Sequence, residues 1–277
     1  MLEIPESYSL MKQLDESIKG RSITEVVVNA SPHSFAWFFG DPNNYHERLV
    51  GKTVDSVVAH AAQLEIKADD MRILFSEGIN VRLFYGNEKL PSKHQLLIRF
   101  DDNIYLICSV AMYGGLSVFK DGENDNPYYL IAKEKPTPLM DEFNLTYFMK
   151  LLETDKAKNL SSKAFLATEQ RIPGLGNGVL QDILYNAHIH PKRKMSTLCQ
   201  ADLENLYISV KTTISNMIQG GGRDTEKDIH GKNGGYKTIL SKNTVGQPCK
   251  VCGSLIKKEA YLGGSIYYCE TCQPMCK

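Results

Sequence analysis

The spacing of apolar residues changes period twice along the chain, and each change marks a change of element. Leu10, Met11, Leu14 and Ile18 fall on one helical stripe, which predicts a helix over residues 5–19 with Pro5 at its first position and Gly20 as its stop. From Ile23 to about Phe119 the runs become short, β-branched or aromatic. They predict strands at 26–28, 54–58, 63–66, 72–75, 80–83, 96–100, 105–108 and 116–119, with a hairpin turn at Asp101, Asp102 and Asn103. Strands at this spacing point to a β-sandwich. Residues 120–141, with Pro127, Pro136 and Pro138, read as a linker. The helical period then returns at 144–152 and 163–169, and in a helix that follows a glycine turn and ends at Pro191. A longer helix carries Leu203, Leu206, Tyr207, Val210, Ile214, Met217 and Ile218, and is stopped by Gly220, Gly221 and Gly222. The fold class is therefore α+β in two domains, a helix with a sandwich and then a helical domain.

Composition narrows the class of molecule. At 277 residues with 42% apolar and 23% charged content, the chain can build two cores and is globular. No run of eighteen apolar residues predicts a membrane span, and the first residues lack the basic-then-apolar order of a signal peptide. A net charge of zero argues against nucleic acid until the chain is divided. Residues 1–140 carry 14 basic and 19 acidic side chains, whereas residues 141–277 carry 18 and 13. The basic second part is a modest footprint of a DNA-gripping domain.

Two stretches carry candidate chemistry. Residues 170–191 place Gly174, Gly176 and Gly178 around Asn177, just before a helix. Such a turn is either a helix–turn–helix corner packed through glycine, or a cradle of backbone N–H groups for a phosphate with the Asn177 amide beside it. At the C-terminus, Cys249-x2-Cys252 and Cys269-x2-Cys272 are separated by sixteen residues. Two disulfides or idle thiols are the bland alternative. The spacing matches a closed four-thiolate zinc site, whose metal is structural and replaces a core that so short a segment lacks. The other cysteines, Cys108, Cys199 and Cys276, read as spare thiols, a pattern that suits a reducing cytoplasm. Residues 220–242 form a long loop rich in glycine and charge, either functional or a solvated connector.

Gly174-Leu175-Gly176-Asn177, the His190-Pro191 exit and the zinc hairpin closing on Cys272-Gln273 resemble one family, the formamidopyrimidine-DNA glycosylase and endonuclease VIII enzymes of base-excision repair, of which the chain reads as a divergent member. The resemblance implies a sandwich domain over 1–140, a helix-two-turn-helix DNA-binding domain over 141–242 whose long loop covers an everted base, and a zinc finger over 243–277. It implies a monomer that binds damaged or abasic duplex DNA in a cleft between its halves. Gly176, Asn177, Lys257 and Lys258 would contact phosphates, and one zinc would sit on the four cysteines. Family members use an N-terminal proline amine to displace the base and form a Schiff base at C1′, with a carboxylate as proton shuttle. Here Met1, Leu2, Glu3 and Glu6 fall on that segment. Leu2 stands in place of the proline and predicts that Met1 is retained, which makes the Met1 amine the nucleophile; Glu3 and Glu6 would be the acid–base groups.

Other positions depart from the family pattern. Ala62 stands where a lysine is expected, Ala111-Met112-Tyr113-Gly114 where the family has Arg-Arg-Phe-Gly, and Gly264 where the zinc hairpin carries arginine. The readings of function are therefore a glycosylase with abasic-site lyase activity, or a zinc protein that binds damaged or distorted DNA without cutting it.

Overall fold

The structure, a computed structural model, describes residues 2–275; Met1, expected to carry the nucleophilic amine, and Cys276, expected to be a spare thiol, lie outside the described residues. The chain forms two compact units, Met1–Lys133 with Glu226–Gly234, and Glu134–Thr225 with Gly235–Lys277.

The first unit begins with helix α1 (Ile4–Ile18). It is followed by strands β1 (Ile23–Val28) and β2 (Ala36–Phe38), helix α2 (Tyr45–Leu49), and strands β3 (Val54–His60), β4 (Gln63–Ala68), β5 (Met71–Phe75), β6 (Ile79–Tyr85), β7 (Leu96–Phe100), β8 (Ile104–Val110) and β9 (Gly114–Lys120). Two sheets form, ordered β1-β7-β8-β6 and β2-β9-β5-β4-β3. Alternation along each strand sends Val81, Leu83, Ile98, Leu106, Ile66, Ile73, Phe75, Leu116 and Val118 into one buried core, as a two-sheet sandwich requires. The Asp101–Asn103 turn joins β7 to β8, with Asp102 and Asn103 at φ 56° and 55°. Those residue types tolerate the left-handed region better than most.

Helix α1 lies against β3 and β4 and buries Leu10, Leu14 and Ile18 in the sandwich core. It starts at Ile4, so Pro5 sits in its first turn, where a missing N–H costs nothing. The Asp15 carboxylate accepts from the Val57 N–H at 2.7 Å, which ties the helix to β3 beside the irregularity between Val54 and Ser56. The segment Glu226–Gly234 contributes Ile229 to the same core, and the Ile229 carbonyl accepts from Leu83 N at 2.9 Å. Gly231 has φ +80°, and a Cβ there would collide with the Arg82 guanidinium.

Three expectations are corrected here. Residues 120–141 are not simply linker, because helix α3 (Pro127–Glu134) lies inside them; Pro127 opens it and Asn126 Oδ1 accepts from Tyr128 N at 2.9 Å. Strand β2 is additional to the eight strands expected: it is three residues long, and pairs in parallel with β9 through Ala36–Gly114, Trp37–Gly115 and Phe38–Leu116. The helix after the glycine turn does not run to Pro191. It ends at Asn186, and His188 reverses the chain at φ 56°.

The second unit holds α4 (Leu145–Lys150), α5 (Asp155–Asn159), α6 (Ser162–Ala167), α7 (Leu180–Asn186) and α8 (Gln200–Gln219), then the hairpin β10 (Lys257–Tyr261) and β11 (Gly264–Tyr268). Asn144, Thr154 and Ser161 cap α4, α5 and α6 through their side-chain oxygens, satisfying N–H groups that the first turn leaves over. Phe148, Phe165, Ile183, Leu206, Val210 and Ile214 are fully buried, and the Phe148 and Phe165 rings meet edge-on at 5.8 Å.

A buried carboxylate organises the loop after α8. Asp182 on α7 accepts from Ile239 N at 2.9 Å and from Leu240 N at 2.8 Å. Burial pushes its carboxyl up to about 6, against the downward pull of those N–H groups. A carboxyl raised above its unfolded value of about 3.9 holds its proton more tightly in the folded state. Its contribution to stability is then full below about pH 4 and is lost as pH rises through about 6. Asp182→Asn should flatten that part of the stability profile in urea titrations run across this window. Asp182→Ala, which strands the buried Leu240 N–H and the part-buried Ile239 N–H, should cost about 1–3 kcal/mol at pH 7. An unchanged profile in the first variant would show that Asp182 does not titrate there.

Candidate functional site

In the first unit the start of α1 places two carboxylates three positions apart in sequence and out of water. Glu3 is the N-cap of α1 and Glu6 lies in its first turn; both are about 5% exposed. Ser7 follows, its N–H donating to the Glu3 carbonyl at 3.0 Å. Its hydroxyl reaches the carbonyls of Ile4 and Ala61. Ala61 has φ 55° and with Ala62 forms the tight turn between β3 and β4, both residues buried. Leu2 is buried in the sandwich core, so its side chain packs and offers no chemistry; Met1 lies outside the described residues.

A third carboxyl belongs with these, one the sequence did not single out. Glu77 follows β5, and its carboxyl is raised above the usual range, first by burial and then by the charge of Glu3. Its neighbour Gly78 has φ +83°, and a Cβ there would collide with the Tyr113 carbonyl. The turn Ala111-Met112-Tyr113-Gly114 is thus held against residues 77 and 78, with Met112 and Tyr113 exposed.

The second unit brings the glycine turn and the C-terminal hairpin together. Asn177 Nδ2 donates to the Ser265 carbonyl at 2.9 Å. Gln181 Nε2 donates to the Asn177 carbonyl at 2.8 Å, and Gln181 Oε1 accepts from Tyr267 N at 3.0 Å. Asn177 Oδ1 is buried with no partner among the described residues. Gly264 opens the floor of this place, since a Cβ there would lie 3.5 Å from both Asn177 Nδ2 and Lys163 Nζ. Lys163, on α6, is buried; it donates to the Tyr261 carbonyl, and desolvation lowers the pKa of its ammonium. A cation and an amide N–H therefore face one space where Gly264 has no side chain. The linking pairs lie 88 and 98 positions apart, so no local pattern announces them.

The glycine turn opens a helix as expected: α7 has seven residues and starts at Leu180, so Gly176 and Asn177 lie in the turn before it. What the structure offers an anion here is side chains, not a long helix dipole. Of the hairpin lysines, Lys257 is engaged in an ion pair with Glu270, and Lys258 is exposed.

The four cysteines converge. Cys249, Cys252, Cys269 and Cys272 place their sulfurs within 4.8 Å of one another, with Cys249–Cys272 at 3.8 Å and Cys252–Cys269 at 3.3 Å. Four thiolates at about 2.3 Å from a tetrahedral metal stand about 3.8 Å apart, so this donor set fits one such ion. The cysteines are themselves held: Tyr185 OH lies 3.1 Å from Cys249 Sγ, and Gln273 Oε1 accepts from Cys269 N at 3.0 Å.

Comparison with known proteins bears on the fold and its relatives. Residues 135–228 match the family model described as the formamidopyrimidine-DNA glycosylase H2TH domain. A formamidopyrimidine-DNA glycosylase of Bacillus cereus is 25% identical over 99% of both chains. One from Wolbachia pipientis of Culex pipiens is 29% identical over 99% of this chain and all of its own. Among solved structures, Lactococcus lactis Fpg in complex with abasic-site DNA superposes with a TM-score of 0.83 at 22% identity, over 98% of this chain and 99% of its own. The MutM protein of Thermus thermophilus gives 0.80 at 19% identity over 98% of each. No described helix is long and apolar enough to cross a membrane. With full-length relatives of one name, a matching H2TH segment over residues 135–228 and the same two-domain α+β fold, this chain is similar along its whole length to the formamidopyrimidine-DNA glycosylases.

Proposed function

We propose that this protein is a base-excision DNA glycosylase with abasic-site lyase activity. The observation that carries the reading is the pair of buried carboxylates, Glu3 and Glu6, at the start of α1, within six residues of an N-terminal amine. Such an amine has an ordinary pKa of about 7.7–8.0, so a useful fraction is neutral near pH 7. Its lone pair attacks C1′ as the C1′–N bond to the base breaks, and the base leaves with a proton. Opening of the sugar ring needs a proton on O4′, and loss of the amine proton then gives the Schiff base. Glu3, with Glu6 behind it, is placed in sequence to carry these protons. β-Elimination breaks the C3′–O bond, and hydrolysis frees the amine. Borohydride trapping on an abasic-site duplex tests this, because reduction of the C=N bond makes the adduct permanent.

DNA is held, in this reading, by the second unit. Lys163 and the remaining N–H of the Asn177 amide grip a phosphate, while Gly176 gives the backbone close approach; Lys258 adds charge along β10. These contacts position a duplex without reading its sequence. Lys163→Gln should weaken binding of unrelated duplexes by a common factor, about tenfold, and lower the slope of log affinity against log salt by about one. Asn177→Ala should weaken binding likewise. Fluorescence anisotropy across a salt series measures both, and an unchanged slope for Lys163→Gln would remove it from the interface. One structural zinc on the four cysteines holds the hairpin against Asn177 and Gln181.

A second reading has its own observation. Ala62, Met112 and Gly264 stand where the family carries basic side chains, and the Leu2 side chain is packed into the core. A protein that binds damaged DNA without cutting it would look like this. It predicts damage-sensitive binding with no trapped adduct.

A further inference from the structure

The outer face of the β2-β9-β5-β4 sheet carries a cavity of about 440 Å3 that neither the amine chemistry nor the phosphate grip uses. Its lining combines exposed aromatic rings with polar edges. Trp37 and Tyr128 are 56% and 61% exposed, unusual for rings of this size in a folded protein. The Trp37 and Tyr113 rings contact each other at 5.9 Å, tilted by 37°. Both are fixed by backbone: Trp37 pairs with Gly115 across β2 and β9, and the Tyr113 turn is seated on Gly78. The oxygen of Asn126 accepts from Tyr128 N, which leaves its NH2 as the group offered to a ligand. Glu77 also lines the cavity, which places it beside the electrostatic reach of Glu3.

We propose that this cavity binds an unpaired nucleobase of a DNA strand, stacked on the Trp37–Tyr113 surface and against Tyr128, with its polar edge accepting from the Asn126 NH2. Rings that present π-faces, with a donor at the edge, are what a splayed-out base requires. The volume lies in the range of small-molecule sites and suffices for a base with its sugar. The inference rests on the reading that the chain handles DNA, but needs neither its amine, nor its metal, nor a lesion.

Trp37 is the only tryptophan of the chain, so its fluorescence reports this cavity directly. The full-length protein is titrated with a thymidine pentanucleotide and with the same backbone carrying abasic tetrahydrofuran units. Saturable quenching by the thymidine strand, with about tenfold or weaker affinity for the abasic one, is expected from loss of stacking. Tyr128→Ala, at an exposed position, should weaken the thymidine strand by about tenfold with unchanged circular dichroism. Equal quenching by the two backbones, or no effect of Tyr128→Ala, would overturn the assignment. If duplex affinity and the Lys163→Gln effect persist in that case, only the cavity assignment has failed; if they too are absent, the DNA reading itself has.

Discussion

Cys269→Ser is expected to abolish stoichiometric metal binding and to unfold the hairpin β10–β11 while the sandwich stays folded. The sulfur of Cys269 is buried in a small cluster with Cys249, Leu240, Ile256 and Tyr185, too few apolar residues to hold thirty-odd residues in place. Structural zinc on four thiolates is linked to folding by about 10–16 kcal/mol at pH 7, so losing one ligand removes most of what orders the segment. Elemental analysis should find close to one zinc per chain in the wild type and well under half in the variant. The loss should spread to DNA: Ser265 and Tyr267, which bond the Asn177 and Gln181 amides, are part of the hairpin. Asn177 would then lose the partner that orients it, and duplex affinity should fall at least as far as in Asn177→Ala. A metal-free wild type with all four thiols reactive and full DNA affinity would contradict this chain of dependence.

The sandwich was legible because its strands alternate, β-branched and aromatic side chains recurring every second residue. All eight strands expected from that pattern are present, within a few residues at their ends. Strand β2 was not legible: three residues cannot show a period, and its parallel partner β9 lies some eighty positions away. Helix α3 was hidden by the habit of reading proline as a breaker. Pro127 is its first residue, where proline's fixed φ helps, and the preceding Asn126 is its cap. Ile229 shows the reverse difficulty, one apolar residue in a polar loop that turns out to be a core residue of the sandwich.

At the site, the four cysteines could be read from spacing because thiolate ligation demands it. The Lys163, Asn177 and Gly264 constellation could not, because it exists only when α6, the glycine turn and β11 fold together. The resemblance pointed to the same place by another route, since Gly264 is the position where an arginine was missed. Glu77 escaped for a related reason: a carboxylate after a strand is ordinary until the fold buries it near Glu3.

Glu3→Gln is expected to slow base removal and strand cleavage by ~10²–10⁴-fold, the usual worth of a positioned acid–base group. The amide keeps the size of the carboxylate, so folding should be nearly unaffected; only proton transfer is lost. Because Glu3 is buried, water cannot easily take over the shuttle. Two further arms separate chemistry from binding. Acetylating the N-terminal amine should abolish the borohydride adduct on an abasic duplex while leaving duplex affinity intact, since an amide nitrogen cannot form a Schiff base. Intact mass of the purified protein identifies the residue that carries the amine. If Met1 is retained, Leu2→Pro should raise activity only in preparations where Met1 has been removed, because proline then presents the secondary amine directly beside Glu3. An adduct that survives acetylation would move the nucleophile to a lysine side chain. The absence of any adduct on abasic or oxidised-base duplexes, with damage-sensitive binding preserved, would make the protein a reader of damage, and Glu3 would then be explained by its place at the start of α1, where a carboxylate suits the helix dipole.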